Sequence, residues 1–241
     1  MEKEEYQRMY YLEKTHWWYV GMRRVSAAVL GSRGAPESWR VLDAGCGTGA
    51  GLDFLARYGL AYGVDLAREA VEFCRLRGKD RVAQASVDSL PFPASSFEMV
   101  TSFDVLYHRA VADDLSALRE FHRVLKDGGL LLVRVPAFDF LRGHHDVMVH
   151  TRHRYQSGEL VAKLQEAGFR VERVSYANFL LFPLALAKRV MERNRRPISD
   201  VQPTRRSVNT LLAGVLAAEA FWLGKHSFPF GLSLMALARK P

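Results

Sequence analysis

The chain has 241 residues, 49% hydrophobic and 25% charged, ordinary globular usage and enough for one large domain or one domain with an appendage. No uncharged apolar window reaches the roughly 18 residues of a membrane span, the opening MEKEEYQRMYYLEK lacks a leader's apolar core, and Cys46 and Cys74 form neither a metal spacing nor a disulfide framework, so buried free thiols and a cytoplasmic setting are expected. The net charge of +8 is compatible with nucleic acid, an anionic membrane or an acidic ligand, yet no zinc pattern or aromatic RNA-binding motif accompanies it, and a solvated basic surface is the plain reading.

Residues 1–35 read as a helical, aromatic segment ahead of the core. From residue 40 the pattern alternates. RVLDA (40–44), LAYGVD (60–65), RVAQAS (81–86), FEMVTS (97–102), LLLVRVP (130–136) and FRVERVSY (169–176) predict six strands. AGLDFLARYG (50–59), REAVEFCRLRG (68–78), DDLSALREFHRVL (113–125) and SGELVAKLQEAG (157–168) predict the intervening helices, the last opened by Ser157 as its N-cap. Strands alternating with helices imply right-handed crossovers and an α/β sheet, mostly parallel, with helices on both faces. Residues 177–228 break the rhythm with two apolar helical segments joined by a basic, proline-marked link. GLSLMALARK (231–240) then returns as a seventh strand. The expected organisation is a helical lid at 1–35, a core at 36–176, a helical insert at 177–228 and the last strand of the core at 229–241.

VLDAGCGTGAG (41–51) sets four glycines directly after the first strand. Glycine costs chain entropy on folding, so the backbone itself must need these positions. A glycine turn between strand and helix aims main-chain N–H groups at a ligand beyond the carboxyl edge of the sheet. Asp65 ends the second strand about 20 residues on, where a carboxylate accepts both hydroxyls of a ribose. An adenosine-containing ligand is therefore favoured. Gly45, Gly47 and Ala50 also satisfy the loose dinucleotide pattern. Asp43, two residues before Gly45, opposes a pyrophosphate and suits an ammonium group, and Asp88 offers an acceptor for an adenine amine.

VLDAGCGTG, YGVDLA, VDSLPFPASSFEMVTSFDVLYH and LREFHRVLKDGGLLLVRVP, in that order between about residues 40 and 136, resemble the successive motifs of class I S-adenosylmethionine-dependent methyltransferases of the type 11 domain group. Asp127 stands where that family usually carries proline; the position ends a helix, so little else changes. The resemblance implies a Rossmann-like seven-stranded fold, S-adenosyl-L-methionine as cofactor and S-adenosyl-L-homocysteine as product. It assigns Gly45, Gly47 and Gly49 to pack under the methionine part and ribose, and Asp43 to hold the amino group. Asp65 would take the ribose hydroxyls and Leu66 the adenine face. Asp88 would read the adenine amine, with Ser89 and Leu90 beside it, and Phe103 would line the sulfonium region.

EKTHWWYVGMRR (13–24) resembles a His-Trp-Trp-aromatic segment that precedes the domain in a subgroup of these enzymes. The resemblance implies that Trp17, Trp18 and Tyr19 lie over the cofactor and exclude water, with Arg23 or Arg24 near its carboxylate; a helix merely packed on the domain is the plainer alternative. GHHDVMVHTRHRYQSGEL (143–160) brings His144, His145, His150 and His153 toward His108. Their spacing fits no defined metal site, and an imidazole base fits better, so His108 and His150 are candidate bases, with surface or capping histidines as the alternative. Tyr107, His153, Arg154 and Tyr155 are candidate acceptor contacts, Arg154 and Tyr155 resembling a recurrent stretch of the same subgroup. The insert has three uses open to it: a cover for the acceptor pocket, a homodimer contact, or a peripheral contact with an anionic membrane through Lys188, Arg189, Arg193, Arg195 and Arg196. The leading expectation is methyl transfer to oxygen or nitrogen of a small-molecule acceptor, whether sugar, secondary metabolite or lipid-linked compound. The alternatives are a rearrangement or cyclisation with the cofactor as a fixed charge, and a cofactor-binding scaffold for a membrane or partner. Nucleic acid is not expected, because SFDVLYH lacks the Asn-Pro-Pro-aromatic motif of base amino-group methylation.

Overall fold

Seven short apolar runs become the strands β1 (Arg40–Ala44), β2 (Leu60–Asp65), β3 (Val82–Gln84), β4 (Phe97–Phe103), β5 (Leu125–Pro136), β6 (Arg170–Ala177) and β7 (Ser233–Arg239) of one sheet. The structure is a computed structural model and describes residues 3–31, 38–192 and 202–241, with side chains described to 189 in the second span. The strand order is β3-β2-β1-β4-β5-β7-β6. The β1–β2, β1–β4, β2–β3 and β4–β5 pairs are parallel, while β7 runs antiparallel between β5 and β6. β6 leaves the sheet at its carboxyl edge and β7 starts at that same edge, so β7 must run backwards to fill the gap. On either side of β1 the chain winds in opposite senses, and this reversal opens a crevice above the carboxyl ends of β1 and β4.

The helices are α1 (Lys3–Leu12), α2 (Trp17–Leu30), α3 (Ala50–Leu55), α4 (Arg68–Leu76), α5 (Asp114–Val124), α6 (His144–Met148), α7 (Ser157–Glu166), α8 (Phe182–Glu192) and α9 (Arg206–Leu223). On one face of the sheet Val25 and Leu30 of α2 join Leu216 and Leu223 of α9 over Val41, Met99, Leu132 and Leu237. On the other, Leu118 and Phe121 of α5 join Leu160 and Leu164 of α7 over Leu42, Val100, Leu131 and Val133. Core strands buried on both faces explain the continuous apolar runs of the sequence.

Three local expectations shift. The N-cap of α7 is Gln156 rather than Ser157; the N–H of Ser157 donates to the Tyr176 hydroxyl at 3.2 Å. β5 starts at Leu125, which pairs with Phe97, and the register shifts before Met99 pairs with Leu130. The Asp-Gly-Gly stretch is thus a bulge inside a strand, with Gly128 at φ 76° and its N–H on the Lys240 carbonyl. α3 stops at Leu55, short of Gly59.

The N-terminal helices and the insert pack on each other. A side chain at Gly21 would sit 2.2 Å from Leu216, so α2 and α9 approach backbone to side chain. Asn209 of α9 accepts the Trp17 N–H at 2.8 Å and donates to the Thr15 carbonyl at 3.0 Å, closing the exposed start of α2. The single acid of α9, Glu219, is buried and accepts the N–H groups of Asn178, Phe179 and Leu180 where the chain leaves β6. The expected boundary at 35–36 lies outside the described residues.

Glu13, in the turn between α1 and α2, joins this layer to the glycine loop. Its carboxylate accepts the Thr48 hydroxyl and the Ala50 N–H and pairs with Arg77 at 2.8 Å. Arg77 also donates to the Thr48 carbonyl at 2.7 Å and lies 4.2 Å over the Tyr10 ring. Both side chains are buried, and burial is the main cause that raises the Glu13 pKa above its ordinary value. Glu13→Ala strands the Arg77 charge in the interior and lowers the unfolding free energy by about 3 kcal/mol. Glu13→Gln, which keeps an acceptor for Thr48 and Ala50, costs less. Urea denaturation of the two variants checks the order; equal, negligible losses would show that the contact does not hold the layer.

Candidate active site

Gly45, Gly47 and Gly49 adopt φ values of 97°, 53° and 88°, the left-handed region that favours glycine. A side chain at Gly45 would also meet Val105 at 2.1 Å. Gly49 turns inward: it opens α3, and a side chain there would meet the Cys74 sulfur at 2.8 Å. It supports the loop from behind and does not line the cavity above it, which corrects its expected place. Cys46 and Cys74 are buried free thiols, as expected, with sulfurs 3.8 Å apart.

A cavity of about 770 Å³ lies over the carboxyl ends of the strands. One half is floored by Gly45 and Gly47 and edged by Asp43, Asp65 and Leu66. Asp65, at the tip of β2, accepts the Gly47 N–H at 2.9 Å and the Ala67 N–H at 3.0 Å. Burial raises its pKa and these two bonds oppose the rise. Asp43 is 3% exposed, accepts the Thr101 hydroxyl at 2.8 Å, and has its pKa pushed up to about 7, chiefly by burial. Gly51 leaves room for it: a side chain at that position would stand 3.0 Å from its Oδ2.

The wall beyond β3 is made by Ser86 and Val87. Ser89 and Leu90 do not reach it. The Ser89 N–H closes a turn on the Ser86 carbonyl at 3.2 Å, and Leu90 is buried, its N–H donating to Glu120 at 2.9 Å. Asp88 stands behind this wall. Its Oδ2 accepts the Ala112 N–H at 3.1 Å, while its Oδ1 is buried with no hydrogen-bond partner among the described residues. A buried acceptor without a donor calls for one. Two desolvated carboxylates over a bare glycine floor fit a cationic ligand such as S-adenosylmethionine; Asp88 does not line the cavity, which corrects its expected place at the adenine amine.

Helices α1 and α2 roof the cavity. Tyr6 and Met9 of α1 come down over it, as do Trp17, Trp18, Tyr19 and Arg23 from the start of α2. Arg23 donates to the Glu13 carbonyl at 2.8 Å; Arg24 is exposed and does not line the space. Met9 packs against Gly47, its sulfur 3.0 Å from where a side chain would begin.

The other half of the cavity is aromatic and basic. Phe103 lines it at the tip of β4. Arg134 of β5, inside the run LLLVRVP, is held by two bonds to Asp104 at 2.9 and 2.5 Å. Its guanidinium lies 5.1 Å from the Trp18 ring and 5.0 Å from the Phe103 ring. Neither Glu13 nor Arg134 was among the expected site residues; the sequence signals are a charged residue in an otherwise apolar strand and an acid just ahead of the aromatic segment.

His108 and His150 line this half with rings stacked 5.7 Å apart, and backbone bridging of His108 to Thr151 locks their two loops together. His108 Nδ1 accepts the Ala110 N–H at 3.0 Å, and burial pushes its pKa down to about 4. The neutral ring then carries its proton on Nε2 and can only donate there. A ring in that tautomer has its acceptor nitrogen occupied, which argues against His108 as a base. Tyr107 lines the cavity, with burial raising its phenol pKa. Arg154 also lines it, but its guanidinium is taken up by Asp146 at 2.8 and 3.0 Å and by the Ala137 carbonyl. Tyr155 is fully buried, its hydroxyl on Asp114 at 2.6 Å and on the Leu106 carbonyl; it props the loop from beneath and is no acceptor contact. His153 bonds Glu159 at 2.8 Å and lies outside the lining residues. From the insert, Leu181, Leu184, Lys188 and Arg189 reach the rim, while Arg193, Arg195 and Arg196 lie outside the described residues.

A family model described as a methyltransferase domain matches residues 42–133. A protein of Mycobacterium tuberculosis (strain CDC 1551 / Oshkosh) named as a probable S-adenosylmethionine-dependent methyltransferase is 37% identical over 136 residues, 54% of this chain and 48% of that one. The chain thus spans about half the length of such curated relatives. A ubiquinone biosynthesis O-methyltransferase of Xanthomonas axonopodis pv. citri is 32% identical over 170 residues, 61% of this chain and 69% of that one. Among solved structures, an S-adenosylmethionine-dependent methyltransferase of Thermotoga maritima superposes with a TM-score of 0.61 at 19% identity, covering 99% of this chain and 95% of that one. A [4+2]-cyclase superposes at 0.59 with 23% identity, over 90% and 79%; at such identities the likeness is one of fold. The glycine loop, the carboxylates at the strand tips and these relatives together place the chain in the class I S-adenosylmethionine-dependent methyltransferase family, with S-adenosylmethionine as its cofactor.

Proposed function

We propose that the protein transfers a methyl group from S-adenosylmethionine to an oxygen or nitrogen of a small-molecule acceptor. The observation that carries this reading is one continuous cavity, acidic and glycine-floored at one end and aromatic with a histidine at the other. The relative named for ubiquinone biosynthesis supports oxygen and a small molecule. When bound, the cofactor supplies a methyl group on a positively charged sulfur.

In this reading Asp65 holds the ribose hydroxyls and Leu66 lies on the adenine, beside the wall of Ser86 and Val87. Asp43 faces the amino group, and Gly45 and Gly47 let the ligand approach the main chain. Trp17, Trp18 and Tyr19 keep water off the reacting centre, while Phe103 and Arg134 wall its far side. His150 accepts the proton that an alcohol acceptor must lose, and His108 donates from Nε2 to orient the acceptor. Alignment of the two reactants accounts for roughly 7–11 kcal/mol of barrier lowering.

With methyl-labelled S-adenosylmethionine and a panel of phenols, catechols and sugars, label moves to an acceptor in step with S-adenosylhomocysteine release. An acceptor that changes while the label stays on the cofactor would assign a rearrangement instead. His150→Ala lowers kcat on an alcohol acceptor by about 10²–10⁴-fold and leaves S-adenosylhomocysteine affinity unchanged, whereas His108→Ala acts mainly on KM.

The raised Asp43 pKa of about 7 sets a pH dependence. The folded value lies above the ordinary carboxyl value, so the group's contribution to the ligand-free fold is full below about pH 4 and is lost as pH rises through about 7. A cationic ligand favours the ionised form, so its affinity moves the other way: it falls as pH drops from about 8 to about 6, approaching tenfold per unit below the pKa. Calorimetric titration of S-adenosylmethionine checks this, and Asp43→Asn binds weakly with that slope flattened.

A further inference from the structure

The outer side of the insert is apolar. α9 buries Leu216, Glu219, Ala220 and Leu223 on one stripe. On the opposite stripe Leu211 is 67%, Phe221 86% and Trp222 50% exposed, with exposed Gly214 and Ala218 between them. The only charge between Arg206 and Lys225 is Glu219, and its carboxylate is turned inward onto three backbone N–H groups. On α8, Leu184 is 65% exposed, on the side of the helix that also borders the cavity. A chain of rings makes the two helices one patch: Trp222 to Phe228 at 6.4 Å, Phe228 to Phe179 at 4.5 Å, Phe179 to Phe230 at 4.6 Å and Phe230 to Phe182 at 5.1 Å. Contiguous apolar surface of this kind marks a contact face.

Charge identifies the occupant. Residues 177–228 carry eight Lys or Arg against three Asp or Glu, more than half of the chain's net +8. Lys188 and Arg189 follow the apolar start of α8, Arg205 and Arg206 open α9, and Lys225 follows its end. A second copy meeting the same face would bring two positive sets together, whereas an anionic surface neutralises them. Apolar faces flanked by cations at the helix ends are the pattern of helices that lie in a lipid interface. No described helix is long and apolar enough to cross a membrane. Leu184, Lys188 and Arg189 belong both to this face and to the cavity rim.

We propose that the outer face of α8 and α9 docks on an anionic phospholipid surface and sets the cavity mouth against it. The docking does not depend on the methyl-transfer reading. The test is flotation of the whole chain with vesicles of phosphatidylcholine alone and of equal parts phosphatidylcholine and phosphatidylglycerol. The chain floats with the mixed vesicles, stays behind with phosphatidylcholine alone, and is largely released by high salt. Leu211→Glu with Phe221→Glu lowers vesicle affinity at least about tenfold, with melting temperature and near-UV circular dichroism unchanged, both residues being outside the core. Reversing Arg205 and Arg206 to Glu lowers it by about fivefold per residue or more. Failure of the wild-type chain to float with mixed vesicles would overturn the proposal. So would a stable dimer in sedimentation that the Leu211 and Phe221 changes dissociate, since the face would then belong to a second copy.

Discussion

The hydrogen bond from the Gly47 N–H to the Asp65 carboxylate ties the tip of β2 to the glycine loop after β1, and the site is built around it. It fixes a left-handed turn in place and holds a carboxylate where burial disfavours its charge. Asp43 sits nearby under the same penalty, relieved in part by Thr101. A fold keeps desolvated carboxylates together only at a cost, and a positively charged ligand offsets that cost. A pyrophosphate would add to it. The electrostatics of the loop therefore select the ligand as firmly as its shape does.

The layer above the loop is held by side chains that bridge distant parts of the chain. Glu13 and Arg77 hold α1 and α2 to the glycine loop and α4, and Asn209 holds α9 to the start of α2. Glu219 holds the turn after β6 to α9. The insert and the N-terminal helices thus share one support, which roofs the cavity and presents an apolar outer surface. Roof, rim and outer face are parts of the same four helices, α1, α2, α8 and α9.

The strands were legible because hydrophobic patterning is local, and β1, β2 and β4 fall within a residue of their expected ends. The glycine loop, Asp43 and Asp65 were legible because their spacing is itself the signal. What the sequence hid depends on partners far along the chain. Tyr155 looked like an acceptor contact, yet its hydroxyl meets Asp114, 41 residues away. Arg154 looked available, and Asp146 takes it up. Glu13 finds Thr48 and Arg77 at separations of 35 and 64 residues, which no periodicity reveals. Ser89 and Leu90 were displaced by a turn that puts Ser86 and Val87 on the wall. The proton position on His108 follows from the Ala110 N–H, a contact that only loop geometry creates.

The central claim is that buried carboxylates around a glycine loop select a cationic sulfur nucleoside over a dinucleotide. Calorimetric titration of the same protein with S-adenosylmethionine and with a nicotinamide dinucleotide tests it most directly. Saturable binding of the first, weakened by Asp65→Asn, and none of the second is the result expected. Tight uptake of the dinucleotide with no heat from S-adenosylmethionine would contradict it.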